Sequence, residues 1–263
     1  MRKQVNKKMK KNLFDLDGKV ALVTGGTRGI GRAIALAMAQ AGADVVATSR
    51  NKENVVDVTK EIMALGRKSI SLTTDVTQTE ERKRMVRKTV KAFGRIDIFV
   101  SNAGGNPLFK RPEDTTEAEW DSLMNLNLKA SFFCCIEAGK EMIKQKGGRI
   151  ILIGSIFSRV AGYRVAPYVT SKAAILGMTR SLALDWHQHN IRVNCLAPGF
   201  VDTDMTSDLI ANKSLYQASL DEIPLNRYAK PKDISKVAVM LASDASDYMV
   251  GETVWVDGGY GIH

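Results

Sequence analysis

Cysteine is scarce in this 263-residue chain, which holds only Cys134, Cys135 and Cys195. They form neither a CxxC nor a CxxxC spacing, and adjacent cysteines rarely close on each other, so a disulfide framework and a thiolate metal site are both disfavoured. A reducing compartment suits such a chain, and a cytoplasmic protein is expected. Histidine is equally sparse. His187 and His189 stand two apart, a spacing that diverges on a helix, and His263 ends the chain, so no metal-ligand pattern results. No apolar run approaches the roughly 18 residues that span a bilayer, so no membrane segment is expected.

Acid is missing from one stretch in particular. The first eleven residues hold Arg2, Lys3, Lys7, Lys8, Lys10 and Lys11 without an Asp or Glu. Without those six the net charge of +10 falls to +4, which weakens any case for nucleic-acid binding by the remainder. The segment that follows, Asn12-Leu13-Phe14-Asp15-Leu16-Asp17, replaces the apolar run of about 7–15 residues that a secretory signal needs. Residues 1–12 therefore read as a solvated, disordered basic tail. What remains is ordinary globular material, with 44% hydrophobic and 25% charged residues overall. Its length fits one large α/β domain over residues 13–263.

Short apolar runs alternate with helical periodicity along that domain. Strands are predicted at 20–23, 45–47, 69–73, 96–100, 149–153, 191–196 and 253–256. Helices are predicted from about residue 30, and near 52–64, 78–92, 117–143, 168–187 and 232–241. Strands apolar on both faces and separated by helices imply a parallel, doubly wound sheet of Rossmann type, with helices on both sides. Between about 202 and 230 the pattern loosens, and this stretch is read as a lid over the substrate side, since ligands in open α/β sheets lie beyond the carboxyl ends of the strands.

The first strand runs into Thr24-Gly25-Gly26-Thr27-Arg28-Gly29-Ile30-Gly31. Absent side chains let a phosphate approach backbone N–H groups and the positive end of the next helix. No Lys-Ser or Lys-Thr follows the last glycine, so this is not a Walker loop. Dinucleotide folds that prefer NAD place an acidic residue near the end of the second strand, about 20 residues on. Here Thr48-Ser49-Arg50 stands instead. An arginine attracts a 2′-phosphate, and Arg28 lies within reach of the same group, so NADP(H) is favoured over NAD(H).

Tyr168 and Lys172, at i and i+4, share a helix face. A phenol with a reference pKa of about 10 gives up its proton poorly near neutrality, and an adjacent ammonium is expected to lower that value. Ser155, 13 positions earlier at the end of the fifth strand, is placed to hydrogen-bond a carbonyl oxygen as charge grows on it. General acid chemistry in reduction and general base chemistry in oxidation follow.

Together these motifs resemble the short-chain dehydrogenase/reductase family over nearly the whole chain after the basic tail. The resemblance implies catalysis by Asn127, Ser155, Tyr168 and Lys172, with Asn127, within Asn125-Leu126-Asn127-Leu128-Lys129, relaying protons through water. It implies cofactor contacts at Gly25, Thr27, Arg28, Gly29, Ile30, Gly31, Ser49 and Arg50, and again at Tyr168 and Lys172. Asp75-Val76 resembles the adenine contact, and Ser101-Asn102-Ala103-Gly104 the family's Asn-Asn-Ala-Gly motif, the change at Ser101 being of little consequence. Pro198-Gly199-Phe200-Val201-Asp202-Thr203 resembles the segment against the nicotinamide, where Val201 and Thr203 meet the carboxamide.

The same resemblance implies ketone–alcohol interconversion on a small carbonyl or alcohol substrate, and a homotetramer. It points to a 3-oxoacyl thioester or related carbonyl reductase, with a sugar or polyol dehydrogenase of the gluconate or glucose type as the alternative. Reductases that serve acyl carrier protein present basic residues on two helices where this chain has Phe133 and Leu184, which argues against carrier docking and suits a subunit contact instead. Phe157, Arg159 and Arg164 are candidates to line the pocket. A non-catalytic cofactor sensor or nucleic-acid-binding protein on this fold is disfavoured, because Tyr168 and Lys172 both stand.

Overall fold

A computed structural model of the chain describes residues 13–106 and 108–262, so the predicted basic tail at 1–12 lies outside the described residues. Seven strands form one sheet: β1 (Val20–Thr24), β2 (Asp44–Ser49), β3 (Leu72–Thr73), β4 (Ile98–Ser101), β5 (Gly148–Ile153), β6 (Ile191–Pro198) and β7 (Thr253–Val256). Their order is β3-β2-β1-β4-β5-β6-β7, with every pairing parallel. The chain winds outward from β1 in one direction and from β4 in the other, so a crevice opens at the carboxyl ends of these two strands.

Successive strand residues point to opposite faces, and the apolar runs feed two cores. On one face Ala21, Val23 and Val45 pack with Ile34 and Met38 of α1 (Gly29–Gln40), Val58 and Ile62 of α2 (Lys52–Ala64), and Ile234 and Ala238 of α9 (Pro231–Ala242). On the other, Leu22, Val46 and Phe99 pack with Met85 of α3 (Thr79–Phe93), Met142 of α5 (Ala130–Lys144) and Ile175 of α6 (Ala166–Trp186). Each of the fully buried Val, Leu, Ile, Phe and Met side chains contributes about 1.5–3 kcal/mol relative to exposure.

Three elements differ from the sequence pattern. β3 is confined to Leu72–Thr73, because this edge strand has β2 alone to pair with, at Thr48 and Ser49. The helix predicted over 117–143 runs through, but its winding changes inside it. After α4 (Glu117–Met124), capped by Thr116 and Glu119, the chain widens into a π turn at Asn125–Lys129 before α5 begins. The stretch at 202–230 contains two short helices, α7 (Ser207–Ala211) and α8 (Lys213–Asp221). Its base is closed by a bridge of Val201 to Ala229, with Asp202 N donating to Ala229 O at 2.9 Å.

Candidate active site

Turn geometry demands the glycines after β1. Gly25 and Gly29 adopt φ of +61° and +51°, and a Cβ at Gly31 would overlap the Gly25 carbonyl oxygen and Asn102 Nδ2. Asn102 braces the turn from β4, its Nδ2 donating to the Thr24 and Gly25 carbonyls at 3.0 Å each. Thr24 Oγ1 in turn accepts from the backbone of Asn102 at 3.1 Å and of Ala103 at 3.2 Å. No side chain caps α1 and no acid stands in its first turn, so the helix's leading N–H groups remain available to an anion.

The other residues expected to contact the cofactor stand at the neighbouring strand ends. Thr27 Oγ1 donates to Ser49 Oγ at 2.9 Å, joining the glycine turn to the end of β2. Arg50 is exposed, and Arg28, also exposed, lies 3.8 Å from Asp204 at the start of the 202–230 stretch. Asp75 folds its carboxylate onto Thr77, accepting from N at 2.9 Å and from Oγ1 at 2.7 Å. Burial raises its pKa, but those hydrogen bonds and the Arg50 charge outweigh burial and hold it below the usual carboxylate value. Val76 is buried beside it, under α3. Ser101 is buried and hydrogen-bonded to Ser131 Oγ at 2.6 Å.

A cleft of about 110 Å³ lies over the carboxyl ends of the strands. It brings together Ile30, Asn102, Gly104, Ser155, Tyr168, Lys172, Pro198, Gly199, Val201 and Thr203, residues drawn from the whole length of the chain. Thr203 also approaches the glycine turn, 3.4 Å from where a Gly29 Cβ would sit. Pro167 in the first turn of α6 sets the helix start just ahead of Tyr168. Lys172 Nζ donates to the Ile153 carbonyl at 2.8 Å and stands 5.8 Å from the centroid of the Tyr168 ring.

The electrostatics of this cleft depart from the simple expectation. Burial pushes the Tyr168 phenol above its ordinary value, and the counterweight is its hydrogen bond with Ser155 rather than the lysine charge. Burial also lowers Lys172 to about 8, against a smaller upward influence from Cys195. Cys195 itself is pushed up to about 11 by burial.

Asn127 is buried in the π turn, outside the cleft lining. Its side chain is tied to the backbone of Gly105, accepting from N and donating to O at 2.9 Å each, and it donates to Ser171 Oγ at 3.2 Å. Ser171 Oγ donates to Tyr168 O at 2.8 Å, so a chain of bonds links Gly105 through Asn127 to the first turn of α6.

Pattern reading missed Ser171. It also missed Ser158, whose Oγ donates to Lys172 O at 2.8 Å and accepts from Ser155 N at 3.2 Å. The one available signal was the Ser-x-x-Ser spacing at a strand end. An aromatic run also leads from the cleft to the 202–230 stretch. Phe157 meets Tyr168 edge-on at 6.2 Å and Phe200 at 6.0 Å, and Phe200 stacks on Tyr228 at 5.2 Å. Tyr228 Oη shares a 2.6 Å hydrogen bond with Ser219 of α8. Arg159 lies over Trp255, 4.9 Å from its ring, and Arg164 is exposed at a positive φ of 62°.

A second, larger groove of about 950 Å³ lies apart from the cleft and shares no lining residue with it. It runs along α4, α5 and α6 and is lined by Leu128, Phe132, Phe133, Met178 and Leu182 among others. Among the described residues, no group of three or more His, Cys, Asp or Glu is placed to hold a metal ion, and no helix is long and apolar enough to cross a membrane.

An uncapped helix behind a glycine cradle, next to a serine, tyrosine and lysine in one cleft, defines a nucleotide-dependent oxidoreductase, and similarity to known proteins agrees. Residues 25–261 match the family described as enoyl-(acyl carrier protein) reductase. The chain is 42% identical over 254 residues to a 2-dehydro-3-deoxy-D-gluconate 5-dehydrogenase from Dickeya dadantii (strain 3937), covering 95% of this chain and 98% of that protein. It is 39% identical over 246 residues to a 3-oxoacyl-[acyl-carrier-protein] reductase from Thermotoga maritima, covering 93% and 98%. A gluconate 5-dehydrogenase from Burkholderia cenocepacia J2315, crystallised with NADP and tartrate, superposes with a TM-score of 0.91 at 31% identity, covering 95% of this chain and 98% of that one. The chain belongs to the short-chain dehydrogenase/reductase family.

Proposed function

We propose that this protein interconverts a ketone and a secondary alcohol with NADP(H), and that its substrate is a small hydroxylated keto acid. The observation that carries the reading is the meeting of Ser155, Tyr168 and Lys172 in the cleft that Ile30 and Thr203 extend toward the glycine turn. The residues present fit a phosphorylated dinucleotide. The cradle at Gly25–Gly31 would hold the pyrophosphate, with Arg28 and Arg50 receiving the 2′-phosphate. When bound, the nicotinamide supplies or accepts the hydride. Tyr168 Oη gives its proton to the substrate oxygen in reduction and takes it back in oxidation. Ser155 orients that oxygen and, bonded to Tyr168, favours the phenolate. Lys172, fixed on Ile153, places positive charge beside the phenol, and Asn127 acts through Gly105 and Ser171 as a positioning residue.

The relatives support either a sugar acid or a 3-oxoacyl thioester as substrate. The surface favours the sugar acid. Phe133 lines a mainly apolar groove in which Lys129 is the one cation, and Leu184 is exposed on α6, so neither position offers an acidic carrier protein a basic side chain. That groove suits a second copy of this chain, and assembly into a homotetramer is the natural outcome. The segment at 202–230 serves as the substrate lid of a single domain. Three free, buried cysteines suit a reducing cytoplasm.

Following NADPH oxidation with keto-sugar acids, simple ketones and 3-oxoacyl thioesters tests the proposal. Turnover is expected with NADPH above NADH and with keto-sugar acids above thioesters. Absence of turnover with every carbonyl, together with tight RNA binding, would overturn it.

A further inference from the structure

Arg82, in the first turns of α3, is a buried cation that the mechanism does not use. Its relative exposure is 4%, and among the described residues no carboxylate forms an ion pair with it. Taking a guanidinium out of water is costly, and an apolar side chain of similar length would fill the same space without that cost. Two of its five N–H donors are nevertheless engaged, and an aromatic ring covers it. Nη1 donates to Val76 O at 2.7 Å, Nη2 donates to Thr79 Oγ1 at 2.9 Å, and the Phe133 ring lies 5.5 Å from Cζ.

Its two neighbours in α3 act on the same segment. Arg84 Nη2 donates to Thr73 O at 2.7 Å, and Glu81 Oε2 accepts from Asp75 N at 2.5 Å. Three charged side chains of one helix thus hold three backbone groups at the end of β3 and in the loop that leaves it. The position of that loop gives the clamp its meaning. Tyr168 and Ser155 mark the reacting end of the crevice beyond β5, and the glycine cradle marks its middle beyond β1. A dinucleotide laid across these points carries its other end over β2 and β3, where Arg50 and residues 73–76 stand.

We propose that Arg82 is a positioning residue for the adenosine half of the cofactor. It touches no part of the nucleotide, but holds the Val76 carbonyl and so fixes the edge formed by Asp75 and Val76. This rests on the cofactor reading above. The forked guanidinium is the property that matters, since it bonds Val76 and Thr79 at once, which a single ammonium reproduces poorly.

The test compares the wild-type chain with Arg82→Met and Arg82→Lys by calorimetric binding of adenosine 2′,5′-bisphosphate, alongside turnover with NADPH and with reduced nicotinamide mononucleotide, which lacks the adenosine. Loss of a charge-assisted bond that positions a contact is expected to weaken bisphosphate binding by about tenfold in Arg82→Met, with a smaller loss in Arg82→Lys. The KM for NADPH rises in parallel, while kcat at saturation and turnover with the mononucleotide stay within about twofold. Unchanged bisphosphate affinity in the variants overturns the proposal and leaves the cofactor reading standing. A wild-type protein that does not bind the bisphosphate overturns both. An equal fall in mononucleotide turnover also overturns the proposal, since it marks general damage to the fold. Arg82→Lys, which keeps the buried charge, carries the test alone if Met at this position prevents folding.

Discussion

Lys172 donates from Nζ to the Ile153 carbonyl oxygen at 2.8 Å, fastening α6 to the end of β5 two residues ahead of Ser155. The bond holds an ammonium in a buried place, and burial lowers its pKa from 10.5 to about 8. Between these values the unfolded chain carries a proton that the folded chain has lost. Stability contributed by this group therefore rises with pH from about 8 to about 10.5, and below 8 the full cost of the buried charge remains. Thermal melts of wild type and Lys172→Met across that range check the sign. The difference in midpoint is expected to move in favour of wild type as pH rises, and a constant difference would contradict the assignment.

Gly31 is the position in the cradle with least room, since a Cβ would overlap Gly25 O and Asn102 Nδ2. Gly31→Ala is expected to cost about 1–3 kcal/mol of stability and to abolish measurable NADPH binding. Gly177, in the middle of α6 with open space where a Cβ would sit, is the control. Gly177→Ala should be neutral or stabilising by up to about 1 kcal/mol. Melting curves with and without NADPH distinguish the two.

Arg50 stands where an acidic residue would accept bonds from ribose hydroxyls. Arg50→Asp is expected to lower kcat/KM for NADPH by about 10–100-fold, the worth of one charge-assisted contact, and to improve use of NADH. Steady-state kinetics with both cofactors reads the ratio directly, and an unchanged ratio would remove Arg50 from the site.

Phe133 is 40% exposed and lines the groove of about 950 Å³ beside Phe132 and Met178. If a second copy covers that groove, Phe133→Glu buries an unpaired charge on assembly and shifts the protein to smaller species. Sedimentation velocity at matched concentration provides the check, and an unaltered assembly would place the subunit contact elsewhere.

Sequence pattern alone revealed the parallel sheet because its strands are continuous apolar runs, as in Val20–Thr24 and Ile191–Pro198, and such runs need cover on both faces. It was weaker where tertiary contacts override local preference. Leu72 and Thr73 are the only part of the predicted third strand that finds a partner. The helix around Asn127 widens into a π turn where its amide bonds Gly105, a residue 22 positions away that no periodicity connects to it. Ser155, Tyr168 and Lys172 were legible because their spacing is distinctive. Ser158, Ser171 and Arg82 were not, since a serine or arginine on a helix looks solvent-facing until the opposing backbone is in place. The setting of Tyr168 was not legible for a related reason: spacing brings Lys172 near, but only the folded chain shows burial raising the phenol and Ser155 opposing it.

The central claim is that Tyr168 moves the proton that accompanies hydride transfer. Tyr168→Phe removes one hydroxyl and keeps the ring against Phe157. Single-turnover oxidation of bound NADPH by the best carbonyl in the substrate panel measures its effect. The rate is expected to fall by about 10²–10⁴-fold, with NADPH affinity within about twofold of wild type. Retention of most of the rate, with cofactor binding intact, would contradict the account.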